Sequence, residues 1–181
     1  SVVHSKAGLV IGGELGKLLY SGDNGKDWTP ATVTPDRQAL ITQVVFAPDG
    51  LRGLAIGQEG WILRTTDGGV NWKEVAFDEK NGEPFMGAAN LGDKVWMVVG
   101  AFGRALKSQD DGQTWQSVTM PAGVEDKHLN RIVGSANGQQ WLIVGEGGLV
   151  LRSNDAGQDW AVEPAFYNGS FYDAIALPSG G

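Results

Sequence analysis

The sequence predicts an all-β fold, a β-propeller of four blades. Three observations carry this: an eight-residue turn motif that occurs four times at near-constant spacing, a glycine pair that repeats in register with it, and apolar runs of strand length between the two. The turn motif reads Ser/Thr-x-Asp-x-Gly-x-x-Trp, an Asp-box, and occupies residues 21–28, 65–72, 108–115 and 153–160. Its tryptophans, Trp28, Trp72, Trp115 and Trp160, fall 44, 43 and 45 residues apart. In each box the aspartate (Asp23, Asp67, Asp110, Asp155) accepts backbone N–H bonds inside a tight turn between strands. The glycine supplies positive φ, and the tryptophan covers the base of the hairpin with a large apolar face.

Within a unit the elements follow in a fixed order. A first strand is seen at 44–46, 132–133 and 174–175. The second is an apolar run at 9–11, 54–56, 95–99 and 141–144. These runs are continuous rather than alternating, the pattern of strands buried on both faces. A Gly-x-x-Gly turn follows (Gly13/Gly16, Gly57/Gly60, Gly100/Gly103, Gly145/Gly148). A third strand at 18–20, 62–64, 105–107 and 150–152 then leads into the box, and a short fourth strand follows the tryptophan, as at 73–75. Four antiparallel strands in roughly 44 residues make one propeller blade. The blades are expected at about 2–33, 41–76, 85–119 and 129–163, with 171–177 as the first strand of a further blade. Four blades and an orphan strand leave open edges, so the reading is an excerpt of a larger ring, or a ring closed between chains as a homo-oligomer.

Composition narrows the function classes. A formal charge of −7 and a pI near 4.7 give no attraction to nucleic acid or anionic membrane. Cysteine is absent, which removes disulfides and thiolate metal sites, and no apolar run reaches membrane-spanning length. His4 and His128 are too few and too far apart for a metal site, and the acidic run Asp110-Asp111-Gly112 lacks the further oxygen ligands of a calcium loop. No metal or cofactor is expected.

The combination of Gly-x-x-Gly, apolar strand and Arg-Ser/Thr-x-Asp-x-Gly-x-x-Trp, clearest from Gly57 to Trp72 and from Gly145 to Trp160, resembles the photosystem II stability/assembly factor-like family over nearly the whole chain. The resemblance implies a non-enzymatic assembly scaffold, a protein partner such as a membrane-complex subunit, and an extracytoplasmic location in periplasm or thylakoid lumen. Asp-boxes also occur in sialidases, xyloglucan-type glycosidases and sortilin-like receptors, so the box identifies a hairpin and not a function.

Chain geometry places the Asp-box turns on one side of the blades and the Gly-x-x-Gly turns with the blade-to-blade connections on the other. The connection side is the expected binding face, with Arg37, His128 and Tyr167 as candidates beside charged runs such as 78–80 and 125–128. A basic residue precedes three boxes, as Arg64, Lys107 and Arg152, with Tyr20 in its place in the first unit. Together with Arg131 these are expected to form a shared basic patch. Gln43, Gly87, Arg131 and Asp173 fall at one equivalent position of the first strands, toward the axis, where Arg131 either meets a ligand or pairs with Asp173.

The alternative is a glycan-binding or glycoside-hydrolysing propeller. It requires two carboxylates across a cleft with an aromatic platform such as Phe166 or Tyr167. Glu14, Glu59 and Glu146 lie in the Gly-x-x-Gly turns, but a residue that repeats is architectural more often than catalytic, and no catalytic residue is assigned.

Overall fold

The computed structural model describes residues 1–80 and 82–177. Among the described residues seventeen strands form four sheets. Blade 1 is β1 (Val2–Ser5), β2 (Gly8–Gly12), β3 (Leu18–Ser21) and β4 (Thr29–Pro30), in that order across the sheet. Blade 2 contains β6 (Ile41–Phe46), β7 (Gly53–Gly57), β8 (Ile62–Thr65) and β9 (Asn71–Ala76), with β5 (Thr32–Thr34) added at its outer edge. Blade 3 is β10 (Phe85–Gly92), β11 (Val95–Gly100), β12 (Ala105–Ser108) and β13 (Gln116–Ser117). Blade 4 is β14 (Leu129–Gly134), β15 (Trp141–Gly145), β16 (Val150–Ser153) and β17 (Ala161–Val162). Every pair inside a blade is antiparallel except β5 with β9, which is parallel.

Two elements differ from the sequence expectation. Residues 32–34 join the second blade, not the first, because the chain crosses to the outer edge of β9, where the Thr32 amide donates to Val70 O and Val33 lies opposite Trp72. Residues 171–177 form no strand. The Phe171 amide donates to Gly145 O and its carbonyl accepts from Asn130 Nδ2, so the segment starts alongside β14, where a neighbouring inner strand would lie. A ladder needs a second strand of the same sheet, and none lies on its other side among the described residues.

The core sits between blades. Alternate side chains of one strand serve two different interfaces, which is why the runs read as continuously apolar. Ala55, Leu63 and Trp72 of blade 2 pack with Val10 and Leu18 of blade 1, while Leu54, Ile56 and Ile62 pack with Trp96, Val98 and Ala88 of blade 3. Met97, Val99 and Ala105 then meet Ile132, Trp141, Ile143 and Leu151 of blade 4.

The Asp-box turns share one geometry. The hydroxyl that opens the box accepts the amide of the glycine, as in Gly157 N to Ser153 Oγ at 2.9 Å, and donates to the aspartate at 2.7 Å. The aspartate accepts the amides of the third and fourth following residues, both 3.0 Å from Asp155 Oδ1. Two successive left-handed residues make the bend: Asn24 and Gly25, Gly68 and Gly69, Asp111 and Gly112, Ala156 and Gly157. These bonds favour the charged carboxylate. At Asp110 the Thr114 hydroxyl and amide and the Ser108 hydroxyl hold the carboxyl down at about 2.

Candidate binding face

The connection side is built from the Gly-x-x-Gly turns and the segments that lead into the next inner strand. The first glycine allows the incoming backbone to pass directly over the turn. A Cβ on Gly57 would lie 2.0 Å from Leu40 O, one on Gly100 2.1 Å from Pro84 O, and one on Gly145 2.2 Å from His128 O. The second glycine is left-handed, and its amide binds the connection, as in Gly16 N to Ala39 O and Gly103 N to Lys127 O, both 2.7 Å. The residue just before that second glycine is left-handed too, although it is Leu15, Glu59 or Phe102 in the first three blades. Leu15 and Phe102 are 56 % and 55 % exposed, so two large apolar side chains stand at turn tips on backbone that glycine would adopt more readily.

The candidate residues fall into different settings. Arg37 stands on the connection after blade 1 and donates from Nε and Nη2 to both oxygens of Glu74, at 2.5 and 2.9 Å. Its guanidinium lies 3.7 Å over the Phe77 ring, and Trp61 Nε1 donates to the same carboxylate at 2.8 Å. The Glu74 hydrogen bonds raise the Arg37 pKa above its ordinary value. His128 Nδ1 lies 3.4 Å from Glu146 Oε2, and its ring meets Phe102 edge to face with centroids 5.3 Å apart. Tyr167 is 54 % exposed and lies tilted against the Phe171 ring, as does Phe166.

The expected shared basic patch does not assemble. Arg64 reaches across the junction to the next blade's box, donating to both the carbonyl and the carboxylate of Asp111. Lys107 does the same one junction on, with Nζ 3.0 Å from Gly157 O. Arg64 and Lys107 are staples between successive blades. Arg152 has no following box beside it among the described residues and pairs with Glu163 of its own blade at 2.5 Å. Arg131 is separate again: it lines a groove along the inner strands with Gln43 and lies 3.0 Å from Asp173 Oδ1, a charge contact without hydrogen-bond alignment.

Asp111, named by the sequence only within an acidic run, has a carboxylate that joins two blades. It also accepts from Arg52 Nη1 at 3.2 Å and from Trp96 Nε1 at 3.1 Å. Burial alone would raise its pKa, but the Arg64 and Trp96 hydrogen bonds and the two arginine charges outweigh it and hold the carboxyl below 3.8. Phe102 was missed. Its signal was an apolar residue in the third position of a Gly-x-x-Gly turn, shared with Leu15.

Hydrolysis needs paired carboxylates across a cleft, and in the cleft at the outer rim of blade 2 both carboxylates are engaged. A cleft of about 540 Å³ at the outer rim of blade 2 contains Asp67 and Glu74. Asp67 is bound by the amides of Val70 and Asn71 and Glu74 by Arg37 and Trp61. A second cleft contains Asp36, Glu59, Glu79 and Phe77, but Arg37 covers the Phe77 ring where a sugar would stack.

Comparison with known proteins places these features in context. The family described as Photosynthesis system II assembly factor YCF48 matches residues 1–98 and 89–164. The photosystem II assembly lipoprotein Ycf48 of Synechococcus sp. (strain CC9902) is 27 % identical over 122 residues, 67 % of this chain and 35 % of that protein. The chain therefore spans about a third of the length of this curated relative. Among solved structures, YCF48 bound to D1 peptide aligns with a TM-score of 0.54 at 17 % identity, covering 91 % of this chain and 82 % of that one. The GH74 xyloglucanase of Xanthomonas campestris aligns with a TM-score of 0.62 at 20 % identity, covering 90 % of this chain and 29 % of that one. At these identities both structures speak to the propeller fold alone.

Proposed function

Because this chain belongs to the photosystem II assembly factor YCF48 family, we propose that it is a non-enzymatic scaffold that holds a protein segment of a membrane complex, a photosystem II subunit in the first instance, on its connection face. The observation that carries this reading is the pairing of exposed apolar tips, Leu15 and Phe102, with charged groups on turns fixed by main-chain bonds to the incoming strands. A rigid face of this kind loses little conformational freedom on binding, and mixed aromatic and charged groups are the composition of transient protein interfaces. Of the residues singled out from sequence, Arg37, His128 and Tyr167 belong to this face. Arg131 serves at the inner groove, and Arg64 and Lys107 hold the blades in register.

Support for the partner comes from the relative whose solved structure contains a D1 peptide. The lipoprotein character of the Synechococcus relative supports an extracytoplasmic site of action. No helix among the described residues is long and apolar enough to cross a membrane.

Calorimetric titration with a D1 peptide, run beside incubation with xyloglucan, tests the proposal. Saturable peptide binding without release of reducing ends is the expected result. Release of reducing ends, or absence of peptide binding, would overturn it.

A further inference from the structure

We propose that Asn168, on the connection that leaves blade 4, is a site of covalent modification: its side chain closes on the Gly169 amide and loses ammonia, which converts the residue to aspartate or isoaspartate and changes the charge and main-chain length of the connection beside Tyr167.

Asparagine followed by glycine occurs at Asn24, Asn81, Asn137 and Asn168. The pair is reactive because glycine has no Cβ to shield its amide nitrogen from the asparagine side chain. Sequence ranks these sites alike, and exposure does not separate them, since Asn24, Asn137 and Asn168 all face solvent. The hydrogen bonds do. Gly25 donates its amide to Ser21 Oγ at 2.8 Å, inside an Asp-box whose two left-handed residues fix the bend. Gly138 donates to Ser135 O at 2.9 Å, and the Asn137 carboxamide oxygen accepts from Ser135 Oγ and the Gln139 amide at 2.7 and 3.0 Å. Asn81 lies outside the described residues, but the Gly82 amide donates to Asp78 O at 2.8 Å. At the last pair, neither the Gly169 amide nor the Asn168 carboxamide takes part in a hydrogen bond among the described residues. There alone the nucleophile and the carbon it attacks are both unengaged.

The step balances with water as the only co-reactant. The Gly169 amide gives its proton to solvent hydroxide, and its nitrogen bonds to Asn168 Cγ. The Cγ–Nδ2 bond breaks, and Nδ2 leaves as ammonia after taking a proton from water, which returns the hydroxide. Water then opens the five-membered ring at one of its two carbonyls. Opening at Cγ restores the original main chain with an aspartate side chain. Opening at the backbone carbonyl routes the main chain through Cγ, as isoaspartate, and lengthens it by one atom. Either product adds a negative charge.

The added atom falls between two attachments of the connection. A Cβ on Gly148 would lie 1.8 Å from Tyr167 O and 3.7 Å from Asn168 N, so the chain lies directly on the 145–148 turn as it enters residue 168. Beyond it, the Phe171 amide donates to Gly145 O at 3.0 Å. A longer main chain between these points displaces one of them. The Tyr167 hydroxyl stands 2.3 Å from the position of a Gly169 Cβ, so the new carboxylate arises beside an exposed aromatic residue of the connection face. Any effect on partner binding rests on the proposed scaffold function, whereas the modification itself does not.

Peptide mapping by mass spectrometry, with isoaspartate scored by enzymatic methylation, follows the folded chain through incubation at mildly alkaline pH. Asn168 should convert at least about tenfold faster than Asn24 and Asn137, which react only when their turns open. In denaturant every pair loses its hydrogen bonds, and the rates should converge. Asn168→Gln, whose ring would need six members, should stop formation of the acid at this position without changing the melting temperature. No conversion at Asn168, conversion equally fast at Asn24 or Asn137 in the folded chain, or a ranking that persists in denaturant would overturn the assignment. Asn168→Asp carries the charge on the original main chain and so isolates the added atom. Hydrogen exchange at the Phe171 amide should be faster in the isoaspartate form than in Asn168→Asp, and equal exchange in the two would overturn the coupling to the turn.

Discussion

Replacing Asp111 with alanine is expected to cost about 3 kcal/mol of folding stability and to lower the melting temperature by roughly 10 °C in a chain of this size. Asp111 sits in the bend of the third Asp-box, with its side chain only 10 % exposed, and neutralises Arg64 and Arg52 from the second blade while accepting the Trp96 indole. Alanine removes the single group that all three donors share. The effect is set at the lower end for a broken buried pair because Arg64 and Arg52 are 23 % and 26 % exposed and regain some hydration. The adjacent Asp110 faces solvent and serves only its own turn, so Asp110→Ala should cost less than half as much. Acidity gives a second readout. The Asp111 carboxyl is depressed in the folded chain, so its contribution is complete above the ordinary value of 3.8 and is lost as pH falls through the lower folded value. The difference between wild type and Asp111→Ala should therefore close below about pH 4, as thermal melts across the acid range will register.

A comparably large loss, about 3 kcal/mol or more, is expected from Gly100→Ala, although φ there is −166°, an extended value open to any residue. The cause is space: the new Cβ would stand 2.1 Å from Pro84 O and 2.9 Å from Phe85 Cα, main-chain atoms that cannot turn aside as a side chain can. Gly13 holds the same place in the first Gly-x-x-Gly turn and has nothing within 4 Å of its Cβ position, so Gly13→Ala should shift stability by less than about 0.5 kcal/mol. Chemical denaturation of the two variants separates close approach of the backbone from any requirement of the motif as such.

That pair also shows where sequence was informative. The Asp-box spacing and the glycine pairs fixed blade number, strand order and the sidedness of the loops, because each motif is a local solution to a turn and is visible without its neighbours. The basic residue before three of the boxes was visible too, but its use was not. Arg64 and Lys107 lie about 50 residues from the box atoms they bind, and only the stacking of blades brings them together. For the same reason Asp111 looked like one acidic residue among several. The connection face was legible as a location through chain geometry, and His128, Arg37 and Tyr167 belong to it. The role of Phe102 depends on a left-handed turn that aims an apolar ring outward, which composition does not reveal.

Hydrogen exchange of the chain with and without a saturating D1 peptide is the most direct test of the connection face as the binding face. The account predicts slowed exchange confined to the Gly-x-x-Gly turns and connections, around residues 13–16, 36–39, 100–104, 125–128, 145–148 and 166–171. Protection centred on the Asp-box turns, around residues 24–28 and 111–115, would contradict it.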